Sequence, residues 1–153
     1  MNTYLIWLYL HIMGAIIAFG FGFTVPVIGR MVAAEPMHGN WWLRASERVG
    51  RTIIIPTALS MIVTGGLLVM TSGHSFKELW LGVALVLYII ALVLSIFVQR
   101  PAVLKAIELT STPPGPGGPN PEVPKLLARA RGIGMLLGLL VVIIVFLMVF
   151  KPF

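Results

Sequence analysis

Four stretches of this chain are each apolar for about the length a bilayer demands, and that alone removes most folds. A hydrocarbon core about 30 Å thick takes roughly 20 helical residues at 1.5 Å rise. Candidate spans of that kind run over residues 4–28, 53–71, 79–98 and 132–150. None shows the period-two alternation of a barrel strand, and every backbone amide in lipid needs a partner within its own segment. The spans are therefore expected to be helices. The expected fold is all-α, a polytopic membrane protein built as an antiparallel bundle of four transmembrane helices, with residues 1–153 forming one domain. The first span lacks the basic n-region of a signal peptide and is longer than an h-region, so it reads as a retained helix.

Charge gives the expected orientation. Arg30, Arg44, Arg48 and Arg51 surround the first connection, and Arg100, Lys105, Lys125, Arg129 and Arg131 the third, whereas the other side carries only Lys77 and Lys151. The positive-inside rule then puts both connections in the cytoplasm and both termini outside the cell inner membrane. In a soluble protein a net charge of +6 would suggest nucleic acid. Here the charges sit where lipid headgroups lie, so the bilayer is the expected partner and nucleic acid is not. Trp41 and Trp42 mark the basic boundary, and Tyr4, Trp7 and Trp80 the opposite one. Arg44, Arg48 and Arg51 share one helical face and are the candidate lipid-phosphate residues, with Glu47 spaced to pair with Arg51.

Between residues 110 and 124 stand six prolines and four glycines or asparagines. This composition predicts a non-helical cytoplasmic linker. By contrast, the connection after residue 71 is short and makes the second and third helices a hairpin. Within the spans, small residues recur at helical spacing: Gly14, Ala15, Ala18 and Gly22 in the first, Ala84, Tyr88, Ala91 and Ser95 in the third, and Gly134 and Gly138 in the fourth. The second carries Thr57, Ser60, Thr64 and Thr71. Such stripes are expected to be the faces on which helices approach closely, and they lead to the expectation that Gly22→Leu or Ala18→Leu damages folding more than Leu8→Ala.

His11 is the one ionisable side chain deep in a span. An imidazole beside small residues suits a porphyrin face, so His11 is the candidate axial ligand for haem b. Met70, His74 and Met148, toward the same side of the membrane, are the candidate second ligands. The other readings of His11 are an interhelical hydrogen bond and a proton relay. The chain has no cysteine, which excludes disulfides, thiolate metal sites and iron–sulfur clusters. Neither paired carboxylates nor a nucleophile with its base nor a phosphate-cradling glycine loop is present, so catalytic residues are expected to be absent.

The run from Tyr4 through Trp7 and His11 to Gly14, then Gly20 to Pro26, with Ile55-Pro56 and Thr64-Gly65 in the second span, resembles a family of uncharacterised four-helix bacterial membrane proteins. More distantly, residues 4 to 70 are similar to copper-resistance D-type domains and to four-helix haem-binding protoporphyrinogen oxidases. That second similarity implies His11 as a haem ligand. The oxidases carry a lysine three residues before the histidine, where this chain has Leu8. The functional expectation is a small non-enzymatic inner-membrane protein, either a haem-b module or an accessory subunit of a larger electron-transfer complex. A small homo-oligomeric transporter or channel and a haem-dependent oxidoreductase are the alternatives.

Overall fold

The structure, a computed structural model, describes residues 3–75, 77–112, 118 and 120–152. Four long helices dominate it: Thr3–Ala34, Pro36–Ser72, Leu79–Thr110 and Glu122–Phe150. They are called the first to fourth helices below. No strand occurs in them, and all four are long and apolar enough to cross a membrane. Large apolar side chains lie exposed along their flanks, among them Ile16, Phe23, Val63, Val86, Leu139 and Val149. An apolar surface this extensive is stable against acyl chains and costly against water. The chain is a four-helix integral membrane protein in contact with the bilayer.

All four helices outrun their apolar stretches on one side, the side bearing the arginines. The first continues past residue 28 to Ala34, the second begins at Pro36, the third runs past residue 98 to Thr110, and the fourth begins at Glu122. Hydropathy falls at the arginines, but the backbone ladder does not need apolar side chains to continue. At 37 residues the second helix is about 55 Å long, nearly twice the hydrocarbon thickness. Much of the segment expected to be a linker lies outside the described residues (113–117 and 119). Its last part is helical, correcting the expected boundary at 124: Glu122, Val123 and Pro124 form the first turn of the fourth helix. Proline is tolerated there because first-turn amides have no intrahelical acceptor.

Two helices change pitch where they leave the apolar zone. Residues Gly50–Ile54 and Leu94–Gln99 are π-helical, and in each case the residue just after the turn donates five residues back: Ile55 to Gly50 and Arg100 to Ser95. Each donor is followed by a proline, Pro56 or Pro101. A proline ring crowds the carbonyl four residues before it, here Thr52 and Phe97, and the turn widens to relieve the clash.

The helices assemble as two pairs. The first packs along the second, and the third along the fourth. The pairs meet around Ala18, Ala58, Met61, Tyr88 and Ile144. Tyr88 Oη donates to the Ala58 carbonyl at 2.6 Å, and the Phe19 and Tyr88 rings meet edge to face at 6.4 Å. A second cluster of Val69, Trp80 and Leu81 lies nearer the terminus-bearing side. On the arginine side the pairs touch again where the second and third helices extend beyond the apolar zone. Asn40 Nδ2 donates to the Ile107 carbonyl (3.0 Å) and to Thr110 Oγ1 (2.8 Å), and Arg100 holds Glu47 at 3.2 Å.

Candidate functional site: an interhelical cleft with a basic end

Between these two contact zones the pairs stand apart, leaving a cleft of about 1750 Å³. Its closed end is formed by Ala18, Ala58 and Tyr88, and its walls by residues of all four helices, including Phe21, Val25, Leu92 and Val141. The small residues expected to be close-approach faces divide here. Gly14 and Ala18 are buried in the first–second contact, and a side chain at Gly14 would meet Met61 Cγ at 2.9 Å. Gly22, Ala91, Ser95, Gly134 and Gly138 line the cleft instead. A Cβ at Gly22 or Gly138 would meet nothing within 4 Å. At these positions the missing side chain leaves room rather than allowing helix contact, so Gly22 is not the close-approach residue that its stripe suggested.

The arginine-side end of the cleft carries Arg30, Arg51, Arg100 and Arg131, with Glu47 the only acidic residue on its lining among the described residues. Glu47 pairs with Arg100, not with Arg51 four residues on as its spacing suggested. Four guanidinium groups against one carboxylate leave the end strongly cationic. The two π-turns supply part of this rim, since Gly50, Arg51 and Ile54 come from one and Ser95 and Gln99 from the other. Phe23 and Met135 line the cleft while remaining 60% and 65% exposed, so it opens sideways onto the lipid-facing surface.

Of the candidate lipid-phosphate residues, Arg51 alone lines the cleft, and Arg44 and Arg48 are exposed elsewhere. The candidate haem ligands occupy separate settings. His11 Nδ1 lies 3.1 Å from Thr64 Oγ1, and a Cβ at Gly65 would stand 3.2 Å from its Cε1, so the ring is seated against the second helix. It is not on the cleft lining. Met70 is 77% exposed. Met148 packs against both core clusters. Among the described residues no three His, Cys, Asp or Glu side chains are grouped to hold a metal ion.

His74 belongs to a polar cluster at the terminus-bearing side. Lys151 Nζ donates to His74 Nε2 (2.9 Å), which requires the proton on Nδ1, and that nitrogen faces Glu78 Oε1 at 3.0 Å. Glu78 also accepts from the Ser75 amide (3.0 Å) and from Trp80 Nε1 (2.7 Å). These donors, the Ser75 amide first and His74 next, hold the Glu78 carboxyl below its ordinary value of 4.5. Lys151 stands 5.4 Å above the Trp80 ring.

Sequence reasoning named the small stripes and the arginines but assigned them to packing and topology. The signal that joins them is the set of prolines, Pro26, Pro56 and Pro101, each within five residues of a cleft-lining arginine. The second and third helices widen beside Pro56 and Pro101, at the level of these arginines. Comparison with curated proteins and with solved structures gives no match. A family described as predicted integral membrane protein, DUF2269, matches residues 5–152, nearly the whole chain, and to that family this four-helix protein belongs.

Proposed function

We propose that the protein is a non-enzymatic lipid-binding protein of the cell inner membrane, holding the acyl part of a bilayer amphiphile in the cleft between its helix pairs. The observation that carries this reading is the cleft itself. At about 1750 Å³ it exceeds the roughly 300–1,000 Å³ of ordinary metabolite sites, its walls are apolar, and it opens to the lipid phase. An acyl chain entering sideways exchanges one apolar surrounding for another, so selection falls to the polar end. The positive-inside rule places that end in the cytoplasmic leaflet.

Native mass spectrometry of the protein released from a mild detergent tests the reading. Wild type should retain lipid in a defined ratio. Gly138→Phe and Gly22→Phe, which add a side chain to the cleft where a Cβ meets nothing within 4 Å, should lower retained lipid several-fold and leave the melting temperature near that of wild type. Equal lipid retention by all three proteins sinks the proposal.

A further inference from the structure

We infer that the ligand of this cleft is an anionic phospholipid from the leaflet on the arginine side, its phosphate held by Arg30, Arg51 and Arg131. This inference rests on the lipid-binding reading and adds the headgroup chemistry. Charge complementarity carries it. Arg100 is neutralised by Glu47, whereas Arg30, Arg51 and Arg131 form no ion pair among the described residues. They come from the first, second and fourth helices and all three line the cleft, so three helices contribute cationic groups for an anion bound there. A guanidinium presents a planar fork that fits phosphate oxygens two at a time and sheds its water more readily than an ammonium. The lysines of this side, Lys105 and Lys125, do not line the cleft.

The geometry fits a phosphate joined to acyl chains better than free phosphate. The cationic end is continuous with the apolar wall, and Phe23 and Met135 leave that wall open to the bilayer. A headgroup at the arginines therefore sits at the headgroup level of its own leaflet while its chains occupy the cleft. Neither polar nor apolar part has to cross an unfavourable region.

Trp42 lines the cleft and stacks on Phe21 at 6.2 Å, which makes it a reporter. The full chain is reconstituted in phosphatidylcholine vesicles holding a minority of either brominated phosphatidylglycerol or brominated phosphatidylcholine. The difference in quenching between wild type and Trp42→Phe isolates the signal of Trp42. Brominated phosphatidylglycerol should quench Trp42 well beyond its mole fraction, and brominated phosphatidylcholine only in proportion to it. The double variant Arg30→Gln, Arg131→Gln should remove that excess, and Arg44→Gln, Arg48→Gln, which loses the same charge away from the cleft, should keep it. Equal quenching by both lipids overturns the headgroup inference and leaves lipid binding standing. Loss of the excess in the Arg44, Arg48 variant shows general surface attraction and overturns the inference as well. Absence of Trp42 quenching by either lipid removes the lipid-binding reading together with it.

Discussion

At the residue scale, His11 shows how a polar group is accommodated in lipid. Its contact with Thr64 supplies a polar partner that acyl chains cannot. Interhelical hydrogen bonds of this kind contribute about 0.6 to 1.7 kcal/mol. His11→Leu should therefore lower stability in detergent by that order, and His11→Gln, which keeps a donor and an acceptor, by less. Equal losses would assign the effect to packing against Gly65 instead. The haem reading is checked on the same variants: a Soret band in wild type that vanishes in both would move His11 from helix contact to iron ligation. Glu78 gives a pH-dependent counterpart outside the membrane. A carboxyl whose folded pKa lies below its unfolded value stabilises the fold above the unfolded value and loses that contribution as pH falls through the folded one. Wild type should thus be more heat-stable than Glu78→Gln at neutral pH, and the two melting curves should converge as pH drops below about 4.5. His11 as a deep polar residue was legible in the sequence, because no other span carries a histidine or a charged side chain. Its partner was not, since choosing Thr64 over the other hydroxyls of the second helix requires knowing how the two helices are rotated.

At the scale of helices, the sequence announced the number and order of spans and stopped short at their ends. Apolar runs define where lipid is, and the helices obey backbone hydrogen bonding, which continues through Trp42 to Gly50 and through Ala102 to Thr110, where Arg44, Arg48, Lys105 and Glu108 are exposed and Glu47 turns in to Arg100. The widened turns at Gly50–Ile54 and Leu94–Gln99 were hidden for a related reason: Pro56 and Pro101 mark a disturbance, but whether a helix kinks, breaks or widens depends on its neighbours. Replacing Pro101 by alanine restores an amide donor and removes the clash with the Phe97 carbonyl. The third helix should then tighten to ordinary α pitch and turn Ser95 and Gln99 away from their present positions. A higher melting temperature together with reduced lipid retention is the expected outcome. Unchanged retention would separate the π-turn from the cleft.

At the scale of the molecule, charge sets the expected orientation and ties the helix pairs at one end. With nine basic residues against two, reporters fused after residue 75 should read as external and after residue 115 as cytoplasmic; the opposite pair of signals would invert the topology. The four-helix architecture was legible because lipid permits so few alternatives. The cleft was not, because a glycine that allows contact and a glycine that leaves space look identical in a sequence. Gly14 and Gly22, eight residues apart on one helix, do the two different things. The chain joins the helix pairs through a single segment, Gly73–Glu78, which lies at the end where the pairs are already in contact through Trp80 and Leu81. At the other end, among the described residues, the second and third helices are in contact, and their polar joins include the Asn40 hydrogen bonds and the Glu47–Arg100 ion pair. The molecule is thus built like a pair of tweezers: its pivot is fastened by backbone, and the polar contacts that help hold its tips are ones that water can replace when a lateral pull from the surrounding bilayer parts them.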